Sequence, residues 1–329
     1  MLSLARARTR FAPSPTGDLH LGGAFTALAS WWLARRSGAD GTTVLRVEDI
    51  DRPRVVAGAE ERQHEDLAWM GLDWDEEPGC ARGDAGPYRQ TDRLALYDAA
   101  LADLTALGRS YPCDCSRAEI ARVASAPHNG EEITYPGTCR DKDPARSMRR
   151  APAVRLRIEP HDAAPWTDGV VGTVNPAMLH AGGDFVLRRG DGVYAYQLAV
   201  SVDDLAMAIT DVVRGDDLLA STPRQLLLMK LWQEHGLLDW AQGRTLPRYW
   251  HLPLVRARDG TRLAKRTPGS TLREVRALGV TPATLVGHLG HGLGILRAPT
   301  PLTARALASM GTERWAFRRE PWAIPEAWG

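Results

Sequence analysis

No stretch of this sequence comes near the roughly 18 uninterrupted apolar residues that a membrane-spanning helix needs. The first residues, MLSLARARTRF, place a brief apolar start ahead of arginines, the reverse of a secretory leader, so a cytoplasmic location is expected. Cysteine is scarce, four in 329 residues, which argues against a disulfide-stapled secreted scaffold. The phosphate-binding pattern GxxxxGK[ST] is missing, and with it a P-loop nucleotide site. No internal repeat or low-complexity tract stands out, which removes solenoid architectures.

What remains is an ordinary globular composition, 44% hydrophobic and 25% charged, long enough for one large domain or two smaller ones. The formal net charge of +1 conceals a gradient. Between residues 242 and 329 there are 14 basic and 5 acidic side chains, a local +9, which leaves −8 for the rest. Such segregation implies that the C-terminal third meets a polyanion.

Elements read in order. An amphipathic helix carries Phe25, Leu28, Trp32 and Leu33 at helical spacing and precedes a strand, TTVLRVED, at 42–49. Residues 58–72 and 91–108 read as helices, the second with Thr91 or Asp92 as N-cap and Gly108 as its stop. Alternating strands and helices predict a parallel sheet with crossover helices. Residues 109–183 break the rhythm with three of the four cysteines, many Pro and Gly, and one β-like run at 152–158, as an inserted subdomain would. Then DFVLRR, a helical YAYQLAVSVDDL, a strand AMAITDVV and a helix PRQLLLMKLWQEHG resume the pattern. Short helices TLREVRALG, TPATLVGHLGHG and LTARALASM close the chain.

Two distant segments carry the chemistry. RFAPSPTGDLHLGG at 10–23 reads as a strand end, a Pro-punctuated turn and a helix starting near Gly22. Its glycines let backbone approach a ligand, and a fresh helix N-terminus offers unpaired N–H groups to phosphates, with His20 one step before it. RLAKR at 262–266 follows the apolar run HLPLV and sets Lys265 in a polar loop, where it can close over a triphosphate. Singly, each is most often a turn or a solvated loop; together they describe a nucleotide site assembled from two ends of a fold.

PSPTGDLHLGG resembles the HIGH motif of class I aminoacyl-tRNA synthetases in its glutamyl form, and RLAKR resembles the KMSKS loop with Lys265 at the second lysine. LRVEDIDRPR (45–54) and ITDVVRGDDLL (209–219) resemble two further glutamyl-class segments, so the likeness covers about residues 8–290. It implies an α/β fold with a Rossmann-type parallel sheet. The expected division is 1–108 and 184–266 for the two halves of the catalytic domain, 109–183 for the insertion, and 267–329 for a short helical stem-contact-like region. Two positions depart from the motif: Arg262 stands for its first lysine and Ala264 for its serine.

Amino-acid activation asks for a pocket, alignment of a carboxylate on the α-phosphate of ATP, and neutralisation of pyrophosphate. Glutamate has two carboxylates, and guanidinium groups grip carboxylates through paired hydrogen bonds. The resemblance implies that Arg10 takes the side-chain carboxylate and Arg214 the other end. It places Glu48 on the ammonium, Tyr196 in the pocket wall, and Phe11, Ala12, Pro13 and Ser14 in the adjoining turn. His20, Gly22, Gly23 and Lys265 would hold ATP, accompanied by Mg²⁺.

Cys113, Cys115 and Cys139, clustered in a chain expected to be cytosolic, favour a metal over a disulfide, while Cys80 stands apart. Tyr135, Asp114, His128 or water can complete a tetrahedron, and chemistry alone favours His128. The pattern C-x-C…Y-x3-C resembles the single structural Zn²⁺ site of short glutamyl-synthetase paralogues, in which tyrosine is the fourth ligand; this implies Tyr135. Only 63 residues follow Arg266, so no anticodon-binding domain is expected. The resemblance is thus to the glutamyl-queuosine tRNA(Asp) synthetases. It implies an enzyme that joins L-glutamate, activated by ATP, to queuosine in the anticodon of tRNA(Asp), and nothing in the sequence demands more than a monomer. A compact glutamyl-tRNA synthetase charging a 3′ end, an RNA-free glutamate ligase, or an inactive RNA-binding paralogue are the competing readings.

Overall fold

The computed structural model describes residues 6–38, 40–80, 82–123, 134–235, 238–261, 263, 270–310 and 315–328. The chain opens with strand β1 (Arg8–Phe11), helix α1 (Leu21–Arg36), strand β2 (Thr42–Leu45) and helices α2 (Ala59–Trp69) and α3 (Leu94–Ala106). The insertion holds β3 (Ser110–Cys113), α4 (Arg117–Val123), β4 (Ala153–Leu156) and a hairpin of β5 (Trp166–Asp168) and β6 (Gly172–Val174). Then come β7 (Val186–Arg188), α5 (Tyr196–Ala206), β8 (Asp211–Gly215), α6 (Thr222–Glu234) and β9 (Arg248–Leu252). Helices α7 (Leu272–Ala277), α8 (Pro282–Gly292) and α9 (Ala304–Ser309) follow. Among the described residues, no helix is long and apolar enough to cross a membrane.

The parallel sheet has the order β2-β1-β8-β9. The chain starts in the middle, steps outward to β2 through α1, and much later steps the other way through β8 to β9. The direction of winding therefore reverses between β1 and β8, and a crevice opens at their C-terminal ends, beside Phe11 and Gly215. Alternate side chains along each strand serve opposite faces. Leu45, Val213 and Trp250 pack with α1, α8 and α9, whereas Val44, Val212 and Tyr249 pack with Met207 and Ile209. A second core joins α3, α5 and α6 to β4 and β7.

Several expectations are corrected. Helix α1 is buried on nearly every side rather than amphipathic, because it is wedged between the sheet and α8 and α9. The strand read at 42–49 ends at Leu45: Arg46 still donates its N–H to Phe11 O, but Arg46 and Glu48 then turn toward buried charges. The strand read at AMAITDVV begins only at Asp211, since α5 runs on to Ala206 and Ala208 adopts φ +53°. Thr91 and Asp92 do not cap α3. Thr91 donates through N and Oγ1 to Asp49, and a 3₁₀ turn at Gln90–Asp92 intervenes. Gly108 does end that helix, at φ +68°.

The insertion is richer in strand than its sequence suggests. Beyond the β-like run, now β4, it contains β3 and the β5–β6 hairpin, and its antiparallel sheet is completed by β7 in the order β3-β4-β7. The hairpin leans on the parallel sheet, where Gly169 donates to Tyr249 O and a Cβ on Gly169 would strike the Trp250 ring at 2.1 Å.

Candidate active site

At the crevice, Arg10, Phe11, Ala12, Ser14, Glu48, Tyr196 and Arg214 line one cavity of about 350 Å³. Seven of the eight positions expected to meet the amino acid thus converge; Pro13 faces a neighbouring recess with Phe11 and His20. The strand ends account for this convergence, since Arg10 and Phe11 terminate β1 and Arg214 sits near the end of β8.

The two arginines are held differently. Arg10, 4% exposed, donates Nε to Asp204 at 3.1 and 3.3 Å, and among the described residues its two terminal nitrogens meet no protein acceptor. Arg214 is fully engaged. Its Nε donates to His251 Nε2 at 3.1 Å, Nη1 to Gln225 at 2.9 Å and Tyr196 OH at 3.5 Å, and Nη2 to Thr222 at 2.7 Å and Leu218 O at 3.4 Å. A guanidinium has five N–H donors, and all five have partners. A free fork on one side thus faces a preset charge on the other.

Beneath the cavity lies a buried charge lattice that the sequence reading missed. Arg46 donates to Asp204 at 2.7 Å and to Glu48 at 3.0 Å, and Asp203 receives Arg93 at 2.6 Å, Gln90 at 2.9 Å and Tyr97 at 3.0 Å. Burial opposes the charge on Arg46, but Asp204, Asp203 and Glu48 hold it firmly protonated. Burial alone would raise the Asp204 carboxyl; Arg10 and Arg46 instead draw it below the ordinary range. Glu48 moves the other way, because burial outweighs Arg46 and Arg10.

A second cavity, about 330 Å³, adjoins the first at the shared residues Thr26 and Gly215. His20, Gly22, Gly23, Asp217, Leu254 and Leu263 are among its walls. His20 is the N-cap residue of α1, no side chain caps that terminus, and no acid occupies the first turn; Leu21 N–H is held by Ser270 O at 2.8 Å, and the positive end of this 16-residue helix faces the cavity. A Cβ on Gly22 would meet nothing within 4 Å, whereas one on Gly23 would strike Leu19 Cδ1 at 2.8 Å. Gly22 keeps the cavity open; Gly23 lets the turn fold back on itself. Arg262, Ala264, Lys265 and Arg266 lie outside the described residues.

The profile of the class I tRNA synthetases (E and Q), catalytic domain, matches residues 6–296. A glutamyl-Q tRNA(Asp) synthetase of Symbiobacterium thermophilum is 46% identical over 96% of this chain and 95% of its own length. The chain belongs to the glutamyl-Q tRNA(Asp) synthetases. A glutamate–tRNA ligase of Anaeromyxobacter sp. (strain K) is 41% identical over 86% of the chain and 56% of itself. The crystal structure of the Elizabethkingia anophelis glutamate-tRNA synthetase superposes with a TM-score of 0.75 at 24% identity, over 98% of this chain and 68% of that one, which shows the shared fold.

In this family member the insertion carries a cluster that could bind a metal. The sulfurs of Cys113, Cys115 and Cys139 all lie within 4.8 Å of one another, with Cys115 and Cys139 3.6 Å apart. Thiolates on one tetrahedral zinc at about 2.3 Å would stand about 3.8 Å apart, so the set fits. The Tyr135 hydroxyl lies 3.4 Å from Cys113 Sγ and accepts from Cys139 N at 2.8 Å. Asp114 pairs with Arg146 at 2.9 Å and Arg149 at 3.2 Å, and its Oδ1 also lies 3.5 Å from Cys139 Sγ. His128 lies outside the described residues. Cys80 is remote in role, its sulfur held against Asp75 O and Arg82.

His251 and Asp168 are further residues that motif reading passed over. HLPLV reads only as an apolar run, yet His251 in it is fully buried beside Arg214 and pairs Nδ1 with Asp168 Oδ2 at 2.7 Å. The register of β8 on β9, with Arg214 opposite His251, is the signal that a strand alignment would supply.

Proposed function

We propose that the protein activates L-glutamate with ATP as glutamyl-adenylate and transfers the glutamyl group to queuosine in the anticodon of tRNA(Asp). The observation that carries the first half is a single cavity presenting two guanidinium groups and one carboxylate. An amino acid with two carboxylates and an ammonium is its chemical complement. The free fork of Arg10 would take one carboxylate bidentately, the fixed charge of Arg214 would attract the other, and Glu48 would accept from the ammonium. Tyr196, Ser14, Phe11 and Ala12 complete the walls, with Pro13 turning the chain beside them.

The neighbouring cavity suits the nucleotide. Phosphates would rest on the N-terminus of α1 beside His20, Gly22 and Gly23, and Lys265 would neutralise the departing pyrophosphate. Mg²⁺ would accompany the nucleotide. A glutamate carboxylate oxygen would attack the α-phosphorus as pyrophosphate leaves. A hydroxyl of the acceptor would then displace AMP from the carbonyl and lose its proton. A Zn²⁺ bound by Cys113, Cys115, Cys139 and Tyr135 would cross-link the insertion. The acceptor half of the reading is supported by the name of the relative that aligns from end to end.

The decisive experiment measures ATP–pyrophosphate exchange with glutamate and transfer of labelled glutamate to tRNA(Asp). Exchange is expected without RNA, and label should enter queuosine-containing tRNA(Asp) even when its 3′-terminal adenosine has been removed. Absence of glutamate-dependent exchange would refute activation. Incorporation that needs the 3′ adenosine but not queuosine would establish ordinary charging instead.

A further inference from the structure

We propose that Asp168 and His251 are positioning residues that fix the guanidinium of Arg214 by dictating which imidazole nitrogen carries the proton. The inference rests on the reading of the cavity as a glutamate site, and its own geometry is independent of that reading. His251 Nδ1 faces Asp168 Oδ2 at 2.7 Å, and Nε2 faces Arg214 Nε at 3.1 Å and Thr222 Oγ1 at 3.1 Å. All these atoms belong to buried residues.

The proton assignment follows from the partners. An arginine Nε–H can only donate, so Nε2 must offer its lone pair, and in a neutral imidazole the hydrogen then sits on Nδ1. Asp168 enforces that tautomer as an ionised acceptor. Burial alone would raise its carboxyl, but His251 and the N–H groups of Val171 and Val170 hold it below its usual range. Burial likewise lowers the imidazole below its ordinary value; the hydrogen bond to Asp168 opposes this and the charge of Arg214 adds to it. A protonated or wrongly tautomerised ring would push an N–H against an N–H.

The chain of contacts crosses a structural boundary. Asp168 belongs to the β5–β6 hairpin of the insertion, His251 to β9 and Arg214 to β8. The insertion therefore reaches under the sheet and sets an arginine whose other donors are held by Gln225 and Thr222 of α6. Arg214 cannot swing to a substrate, so its aim depends on the ring behind it.

Asp168→Asn tests this. Its oxygen can still accept from Val170 and Val171, but its amide nitrogen must then face His251 Nδ1, which favours the wrong tautomer. Glutamate KM in pyrophosphate exchange should rise about 10- to 100-fold, the equivalent of losing one hydrogen bond to a charged group, with KM for ATP unchanged. His251→Ala should do the same, and His251→Gln, whose Oε1 can occupy the place of Nε2, should recover most of the loss. Nitrogen-15 NMR of histidine-labelled protein, assigned by difference with His251→Gln, should show an unprotonated Nε2 in the wild type and a protonated one in Asp168→Asn. A folded Asp168→Asn protein with wild-type glutamate KM, an equal rise in both KM values, or a wild-type ring protonated on Nε2 would overturn the proposal. Loss of glutamate-dependent exchange in the wild type itself would instead strike the reading of the cavity, and the tautomer measurement would still decide the role of Asp168.

Discussion

Arg10 and Arg214 look alike in sequence and differ in what their environment leaves them free to do. Asp204 takes only the Nε of Arg10 and is itself shared with Arg46, so the terminal fork of Arg10 stays open toward the cavity. Lysine at this position would keep the charge but have one nitrogen to divide between Asp204 and a substrate carboxylate. Arg10→Lys is therefore expected to raise KM for glutamate by about 10- to 100-fold, the equivalent of losing one or two charged hydrogen bonds, with KM for ATP nearly unchanged. Pyrophosphate-exchange kinetics give both numbers; an unaltered glutamate KM would mean that the open fork does not meet the amino acid. Arg10, Glu48 and Arg214 are legible from sequence because they sit in motifs at or just beyond strand ends, whereas Tyr196, the first residue of α5, is reached through the family resemblance. Asp204, Asp168 and His251 are not, because their meaning lies in partners 194, 83 and 37 residues away that only the folded sheet brings near.

At the scale of elements, the parallel sheet and its helices follow from alternating periodicities, and the boundaries that shift do so for tertiary reasons. β2 ends early because Arg46 and Glu48 have buried partners, and α3 starts late because Asp49 captures Thr91. The insertion is less legible in sequence because its strands are three or four residues long, too short for a period to show. Its small cluster of Tyr111, Cys113, Tyr135 and Cys139 is a thin core, braced by the Arg155 guanidinium 3.8 Å from the Tyr135 ring centre. An element with so little apolar burial gains most from a bound metal. Cys139→Ser should purify with far less zinc than the wild type and become sensitive to proteolysis between 109 and 183, while the far-ultraviolet spectrum of the α/β core persists. Metal analysis and mass spectrometry of the cleavage products test this, and full zinc occupancy would exclude Cys139 as a ligand.

Across the whole molecule, the charge gradient and the C-terminal helices have a shared explanation. Arginines of the basic C-terminal third reach back to N-terminal acids, Arg273 to Glu65 at 2.6 Å and Arg305 to Asp73 at 2.7 Å, so part of the segregation holds the chain ends together. Apolar packing does the same on a larger scale. Trp322 stacks on Phe25 of α1 with ring centres 5.9 Å apart and planes 3° from parallel, and a Cβ on Gly292 would strike its ring at 2.6 Å. The backbone beside it joins Arg256, through Arg256 N to Trp322 O at 2.9 Å and Ile324 N to Arg256 O at 3.1 Å. The helices after the KMSKS-like loop thus share one core with α1, whose N-terminus faces the second cavity. Removing the ring leaves a void against α1 rather than loosening an appendage. Trp322→Ala is expected to cost about 3 to 5 kcal/mol. It should lower the urea midpoint in one transition seen alike by tryptophan fluorescence and circular dichroism, because the region has no separate core to melt on its own. Two transitions, with the residues beyond 267 unfolding first, would show that the C-terminal helices stand apart and that the support of α1 comes from the sheet alone.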